Sequence, residues 1–566
     1  MTQTLPPPTS PEPEPRSKSG SAPKAGQSLM RSSLVYSALT LVSRFMGLAR
    51  DLVVTARIGA SATIAGDAYA TALAFPNLFR RIFAEGAFAA AFVPAYSKSL
   101  TEDGEETADR LAADAMASLA AATIVLTIVA QLAMPWLMIA MNPGYVTDPD
   151  KFKLSVLLTQ LAMPYLPCMA ITAHLSGVLN ARGRFILSAA APTLLNLMML
   201  IFVLPQHEAK AAATWAIYGV VVSGVAQSAL LTWGVRKSGA QVHWRLPRLT
   251  PEIRKLLVLA VPGAIAASAT QINIFISGNL VSSVNGARNW LSVADRLYQL
   301  PLGLVGVAIG VALLPRLSRA VHAGDKKDAQ SAMDEGIVLA LAFCLPAAAA
   351  LVAMPYFLID GLFTRGLFTT YDSHETAKTL LQYGWGVPAF VLTRILSPAF
   401  FARQDTRGPM TFALASVTAN VVLGIILFRL VGVQGIAAAT SAAAWLNVVL
   451  MVSALARRKV YTPSLAAWSR IGKIALATLT LGLGMAAASH WRPMVEAPFQ
   501  FIQLTIGTTK ALGAKELAVL SVVGLAGLLY PLALFGFGGL TLAEVKGALK
   551  RPAKSEADTA PPIDLD

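Results

Sequence analysis

Residues 43–51, Ser-Arg-Phe-Met-Gly-Leu-Ala-Arg-Asp, place two guanidinium groups and a carboxylate inside a stretch that is apolar on both sides. Arg44 lies about halfway along it, where a charged side chain costs roughly 2.5–3.5 kcal/mol on insertion scales. Arg50 follows six residues later, about 120° around a helix and roughly 9 Å along it. Asp51 shares the face of Arg44 but stands roughly 10.5 Å away, too far to neutralise it. Gly47, on that same face, leaves room for another group to approach. Guanidinium stays protonated, so such residues form a binding surface and not a proton relay. Their paired N–H donors match phosphate oxygens. Two blander readings stay open: an ion pair between Arg44 and another helix, and Arg50 snorkelling to the interface.

The stretch 67–88, DAYATALAFPNLFRRIFAEGAF, adds more charge. Asp67 stands at its outer approach. Arg81 and Glu85 are spaced i, i+4 and can neutralise each other, whereas Arg80 points elsewhere without a local partner. Pro76 and Gly86 predict a bent or interrupted helix that opens backbone to a cavity. Asp295 and Arg296 are adjacent, so they face about 100° apart. Arg394 is a further unpaired cation in an apolar run. A proton or sodium pathway would show lone carboxylates. Here cations outnumber acids at depth, which suits an anion.

These residues need elements to position them, and the composition says which. The chain has 566 residues, 55% hydrophobic and 14% charged, with a mean hydropathy of +0.58. Apolar runs of about 20 residues recur, which reads as an all-α polytopic membrane protein with about fourteen spans; barrel-type alternation is absent. The spans that matter here are the first (33–54), second (70–97), seventh (256–281), eighth (292–315), tenth (378–401), thirteenth (468–489) and fourteenth (517–538). Lys and Arg cluster in the loops after even-numbered spans. The formal charge of +15 therefore reads as positive cytoplasmic loops, with both termini cytoplasmic, and not as nucleic-acid binding. Cys168 and Cys344 lack a C-x-x-C partner, and no two of the six histidines have ligand spacing. Without a nucleophile–base set or a phosphate-binding Gly loop, neither an enzyme nor a metal site is expected. Residues 1–30 are Pro/Ser-rich and read as a disordered cytoplasmic extension that is not a signal peptide, and 546–566 as a second disordered tail.

The chain also resembles itself. PAYSKS (94–99) recurs as PRLSRA (315–320), and LSGVLNAR (175–182) as LSPAFFAR (396–403), both offset by 221 residues; Asn196 and Asn420 follow at 224. The offset covers six spans, an even number. The two halves, 31–240 and 241–460, should therefore be six-helix lobes related by a pseudo-two-fold along the membrane normal, with a substrate site between them. Residues 461–545 hold the two remaining spans, outside the repeat.

SRFMGLARD, PNLFRRIFAEGAF, APTLLN (191–196), ADRLYQLPLGLVGVAIGVALLP (294–315) and FFARQDTRGP (400–409) together resemble the MurJ (MviN) family of lipid II flippases, over about residues 30–545. The resemblance implies a MOP-exporter fold of fourteen helices. It also implies transport of undecaprenyl-pyrophosphate-linked disaccharide-pentapeptide from the cytoplasmic to the periplasmic leaflet of the bacterial inner membrane, for cell-wall synthesis. By the family pattern Arg44, Arg50, Arg80 and Arg296 would bind pyrophosphate with help from Ser43. Asp51, Asp67, Arg81, Glu85, Asp295 and Arg394 would form a charge or gating network. Spans 13 and 14 would hold the prenyl tail. No cofactor is implied. Span 7 has no charged residue, Gln271, Asn273, Ser277 and Asn279 being among its polar groups, so it lacks the acidic residue of a sodium site seen in some members, and membrane potential stays open as the drive. Lipid II, membrane lipids and cell-wall enzymes are the expected partners, with a monomer sufficient for function. The rivals are another MOP-type carrier, either a prenyl-pyrophosphate oligosaccharide flippase or a drug exporter, and a non-transporting scaffold acting through its tails. Deleting residues 1–28 separates scaffold from flippase: in a complementation assay a scaffold loses function and a flippase keeps it.

Overall fold

The computed structural model describes residues 25–80, 88–502, 504–506 and 509–539. α1 (Ala25–Ile58) has 34 residues and spans about 51 Å at 1.5 Å per residue. It runs from one end of the bundle, here called proximal, to the other, called distal. α2 (Ile64–Arg80) and α3 (Phe88–Glu102) return toward the proximal end; residues 81–87, including Arg81, Glu85 and Gly86, lie outside the described residues. α4 (Glu105–Leu132) and α5 (Met134–Met141) go out, and α6 (Pro149–Ala162) and α7 (Tyr165–Ala181) come back. α8 (Phe185–Val203) and α9 (Ala209–Lys237) form the next pair.

After a linker, α10 (Pro251–Val281) and α11 (Ala287–His322) repeat the excursion. α12 (Lys326–Ala353) with α13 (Pro355–Phe363), and α14 (Thr370–Gly384) with α15 (Val387–Phe401), follow. α16 (Arg407–Val431), α17 (Gln434–Arg457) and α18 (Leu465–His490) come next. A distal connector contains α19 (Arg492–Glu496) and the antiparallel strands β1 (Leu504–Ile506) and β2 (Thr509–Leu512). α20 (Ala514–Gly536) closes the described chain. Ten helices or collinear helix pairs among the described residues are long and apolar enough to cross a membrane.

Proline and capping residues set the breaks. α5, α6, α13 and α15 each carry Pro in the first turn, where the missing N–H costs nothing and the ring prevents continuation from the helix before. Thr250 caps α10 by accepting from Ile253 N, Asp325 caps α12, and Thr369 and Asp372 form a reciprocal capping box on α14.

Packing sorts the helices. One apolar core joins α11–α15 and α17 with Val519 of α20. Two others join α3, α4, α7 and α9, and α1, α2, α6, α8 and α9. α10 leans on α16 but also on α3, α4 and α5. Ala60, in the α1–α2 turn, crosses over: it is fully buried in the core of the later helices.

That turn is part of a distal seam where backbones meet. Leu367 N donates to Ala56 O at 2.8 Å. Gly366 has φ +57°, and a Cβ there would sit 2.2 Å from Ala56 O; Gly286 has φ +83°, and its Cβ would sit 2.8 Å from Ser61 N. Both positions need glycine for conformation and for closeness. Gly366→Ala should cost about 1–3 kcal/mol from the backbone term and part the seam. A lower thermal midpoint in detergent and faster thiol labelling at Ser61→Cys would be seen; an unchanged midpoint and labelling rate would contradict this packing.

Candidate anion-binding site

α1 lies along α8, and Asn196 of α8 packs beside Gly47: its Nδ2 is 3.6 Å from where a Gly47 Cβ would stand, an ordinary contact distance. Its Nδ2 donates to Ser43 O at 2.9 Å, and its Oδ1 accepts from Arg50 Nη1 at 2.9 Å. Ser43 thus enters the network through its carbonyl.

Arg50 is buried at 6% exposure, so it does not snorkel. Its Nε and Nη2 donate to Asp51 Oδ1 at 3.0 and 2.6 Å. The other Asp51 oxygen, Oδ2, faces Arg296 Nε of α11 at 3.1 Å. One carboxylate therefore holds guanidinium groups from an early helix and a late one. The helical spacing excluded Asp51 only as the partner of Arg44; its chain neighbour Arg50 supplies one partner and tertiary packing brings Arg296 as the other. The Arg296 side chain stays 56% exposed, and its terminal nitrogens make no hydrogen bond among the described residues. The triad keeps one net positive charge with donors to spare, which is what an incoming oxyanion requires.

The other expected residues fall in different places. Arg44 is half-buried and makes no hydrogen bond or ion pair with a described residue. Arg394, on α15, is exposed and likewise unpaired among the described residues. Asp295 accepts from Gln299 Nε2 one turn along α11. Arg80 ends α2, and its side chain, like Arg81 and Glu85, lies outside the described residues.

Asp67 does not join the arginines. It sits at the distal seam, 2% exposed, with Lys151 Nζ at 2.6 Å and Lys151 also 2% exposed. Gly286 N donates to the same carboxylate oxygen at 2.9 Å, and Lys151 Nζ reaches Asn285 Oδ1 at 3.0 Å. Nearby, Asp372 Oδ1 accepts from Ser61 N at 3.0 Å, Ser61 Oγ at 2.5 Å and Trp290 Nε1 at 2.9 Å. Asn289 Nδ2 donates to Gly59 O at 2.8 Å. Both buried carboxylates tie the early helices to the late ones.

Sequence reasoning missed Lys151 and Asp372 as site residues. Lys151 lies in VTDPDKFK, which looks like a balanced loop, and Asp372 has only a local capping signature. Asn196 did leave a signal, as the repeat mate of Asn420.

An apolar groove of about 320 Å³ runs between α18 and α20, lined by Leu481, Met485, Val522, Leu525 and Leu529 with Thr480.

Comparison with known proteins agrees with this architecture. A family model described as lipid II flippase MurJ matches residues 55–502. A probable lipid II flippase MurJ of Rhizobium meliloti is 35% identical over 536 residues, covering 94% of this chain and 98% of that protein. The lipid II flippase MurJ of Burkholderia cenocepacia is 32% identical over 510 residues, covering 88% and 98%. Among solved structures, a lipid II flippase MurJ in an inward closed conformation superposes with a TM-score of 0.69 at 23% identity, covering 88% of this chain and 98% of that one. An inward-facing MATE-family transporter of the MOP superfamily gives 0.57 at 14% identity, covering 78% and 98%. These two likenesses are of fold.

The Asp67–Lys151 pair is testable by a double-mutant cycle. Lys151→Met strands a buried carboxylate and should cost about 3–5 kcal/mol. Combining it with Asp67→Asn should recover much of that loss in thermal unfolding. Strictly additive losses would show that the pair is not coupled.

Proposed function

The chain belongs to the MurJ lipid II flippase family, and from that premise we propose how it moves its substrate. It is a multi-pass membrane transporter and not an enzyme. The reading has fourteen crossings, with α2 and α3, α4 and α5, α6 and α7, α12 and α13, and α14 and α15 each serving as one. Residues 31–240 and 241–460 form two six-helix lobes about a pseudo-two-fold, and both termini are cytoplasmic. The proximal end then faces the cytoplasm, and the bonded distal seam is a periplasmic gate in its closed state. The chain sits in the bacterial inner membrane.

The undecaprenyl-pyrophosphate headgroup enters between the lobes from the cytoplasmic leaflet while its tail lies in the groove between α18 and α20. Arg44, Arg50, Arg80 and Arg296 receive the pyrophosphate. The observation that carries this reading is Asp51 shared by Arg50 and Arg296, with Arg44 unpaired. A pyrophosphate outcompetes a single carboxylate for these guanidinium groups because it brings more charge and more acceptor oxygens. Exchanging counter-ions there loosens the tie between the lobes, and rocking opens the distal seam. Outward movement of a negative headgroup runs down an inside-negative potential at about 2.3 kcal/mol per charge per 100 mV, so the membrane potential supplies drive for that step.

Arg44→Ala should remove a charge-assisted contact of about 1.5–3 kcal/mol, weakening lipid II binding by roughly tenfold or more without unfolding the protein. Transport of lipid II across proteoliposome leaflets should fall accordingly. A stably inserted Arg44→Ala protein that flips at the normal rate would refute the assignment.

A further inference from the structure

The linker between α9 and α10 has two unlike edges. One is pinned: Ala240 and Val242 are buried against α3, α4 and α7. Gln241 N donates to Asp109 Oδ2 at 2.6 Å, and Ser118 Oγ donates to the Arg248 carbonyl at 3.5 Å. Asp109 is itself held by Arg182 at 2.9 Å. The linker is therefore a strap fixed to the first half of the molecule, not a loose tether.

The other edge is bare. Residues 240–250 have no regular secondary structure, yet Trp244, Leu246 and Leu249 are exposed by 59%, 80% and 78%. They alternate with Arg245, which reaches Asp114 at 3.8 Å, and with Arg248. Residues 236–255 carry six Lys or Arg and one acid, Glu252. Three large apolar side chains on an extended, exposed segment are poorly placed in water, and none of the described residues covers them. Indole belongs at a bilayer interface, and closely spaced cations belong beside anionic headgroups. The strap leaves α9 and enters α10 at the proximal end, so it stands where both are available.

We propose that residues 240–250 form an interfacial strap that docks on anionic phospholipid of the leaflet at the proximal end. Trp244, Leu246 and Leu249 enter beneath the headgroups, and Arg245 and Arg248 meet the phosphates. The inference rests on the orientation given under Proposed function. It adds a consequence: the strap is pinned to the first half and leads into α10, so rocking starts from a segment held at the membrane surface, and the anionic fraction of that leaflet tunes transport.

A nitroxide at Leu246→Cys, with Cys168 and Cys344 replaced by Ser, reads this directly and needs no lipid II. The protein is reconstituted in vesicles of zwitterionic phospholipid, or of the same lipid with about 30% phosphatidylglycerol. With the anionic lipid present, collisions with oxygen should rise and collisions with a water-soluble nickel chelate should fall. Arg245→Gln with Arg248→Gln should erase that lipid dependence, and flipping by this variant should become indifferent to the anionic fraction. A label equally open to the nickel chelate in both vesicles would overturn the proposal. So would one shielded from both probes in detergent, because a protein surface would then be covering the strap. Labelling of the same cysteine by a membrane-impermeant maleimide, against vesicles of known sidedness, reports orientation by itself. A wrong orientation is thereby distinguished from a strap that does not dock.

Discussion

Asp51 holds two guanidinium groups that come from opposite halves of the chain, and one carboxylate cannot neutralise both. Everything else in the candidate site follows from that imbalance. At low dielectric an unmatched charge is costly, and Arg44 adds a second cation with no described partner. The protein tolerates this because the Arg296 side chain is largely open and because Asn196 holds Arg50 in place from α8. An oxyanion with several acceptor oxygens meets that unfilled demand better than Asp51 can. The ion triad links the two halves of the chain, and in the function proposed above it is also the site that takes a stronger counter-ion.

The distal seam obeys a related logic. It is built from backbone contacts, two carboxylates and short polar side chains, and not from a continuous apolar interface. Each of its neutral hydrogen bonds can be exchanged for one to water at a net cost of only about 0.5–1.5 kcal/mol, and each bond to a carboxylate at about 1.5–3 kcal/mol. A seam of this kind closes with definite geometry yet opens without exposing a large greasy face. Ala60 adds a small apolar tooth set into the core of the later helices, on which Leu48 and Leu52 of α1 also pack. Glycine at 286 and 366 lets the chains approach to backbone distance, so the closed state is specified by shape as well as by charge.

The appended pair α18 and α20 is fastened to the second half at both ends. Distally, Asp360 is bonded by Arg492 and lies 3.2 Å from Lys515, while Arg365 meets Glu516 at 3.1 Å. Proximally, Tyr461 Oη donates to Asp334 at 2.6 Å, just before α18 begins. The groove between these helices therefore belongs mechanically to the second half. The strap at 240–250 is pinned to the first. A lipid tail and a membrane-surface anchor would thus ride on opposite sides of the moving interface.

Much of this was legible from residue order. Apolar runs and intervening basic loops disclosed a polytopic helical membrane protein. The string PNLFRRIFAEGAF pointed to the family. What residue order determines is the content of each helix: its length, its faces and the depth of its charges, because these depend on a fixed rise and turn per residue. It could not say that Asp51 also meets Arg296, that Lys151 lies under Asp67 84 positions away, or that Asn196 bridges Ser43 and Arg50. Those pairings depend on how far one helix is rotated and shifted against another. That is set by the packing of many side chains at once, so only the tertiary structure decides them.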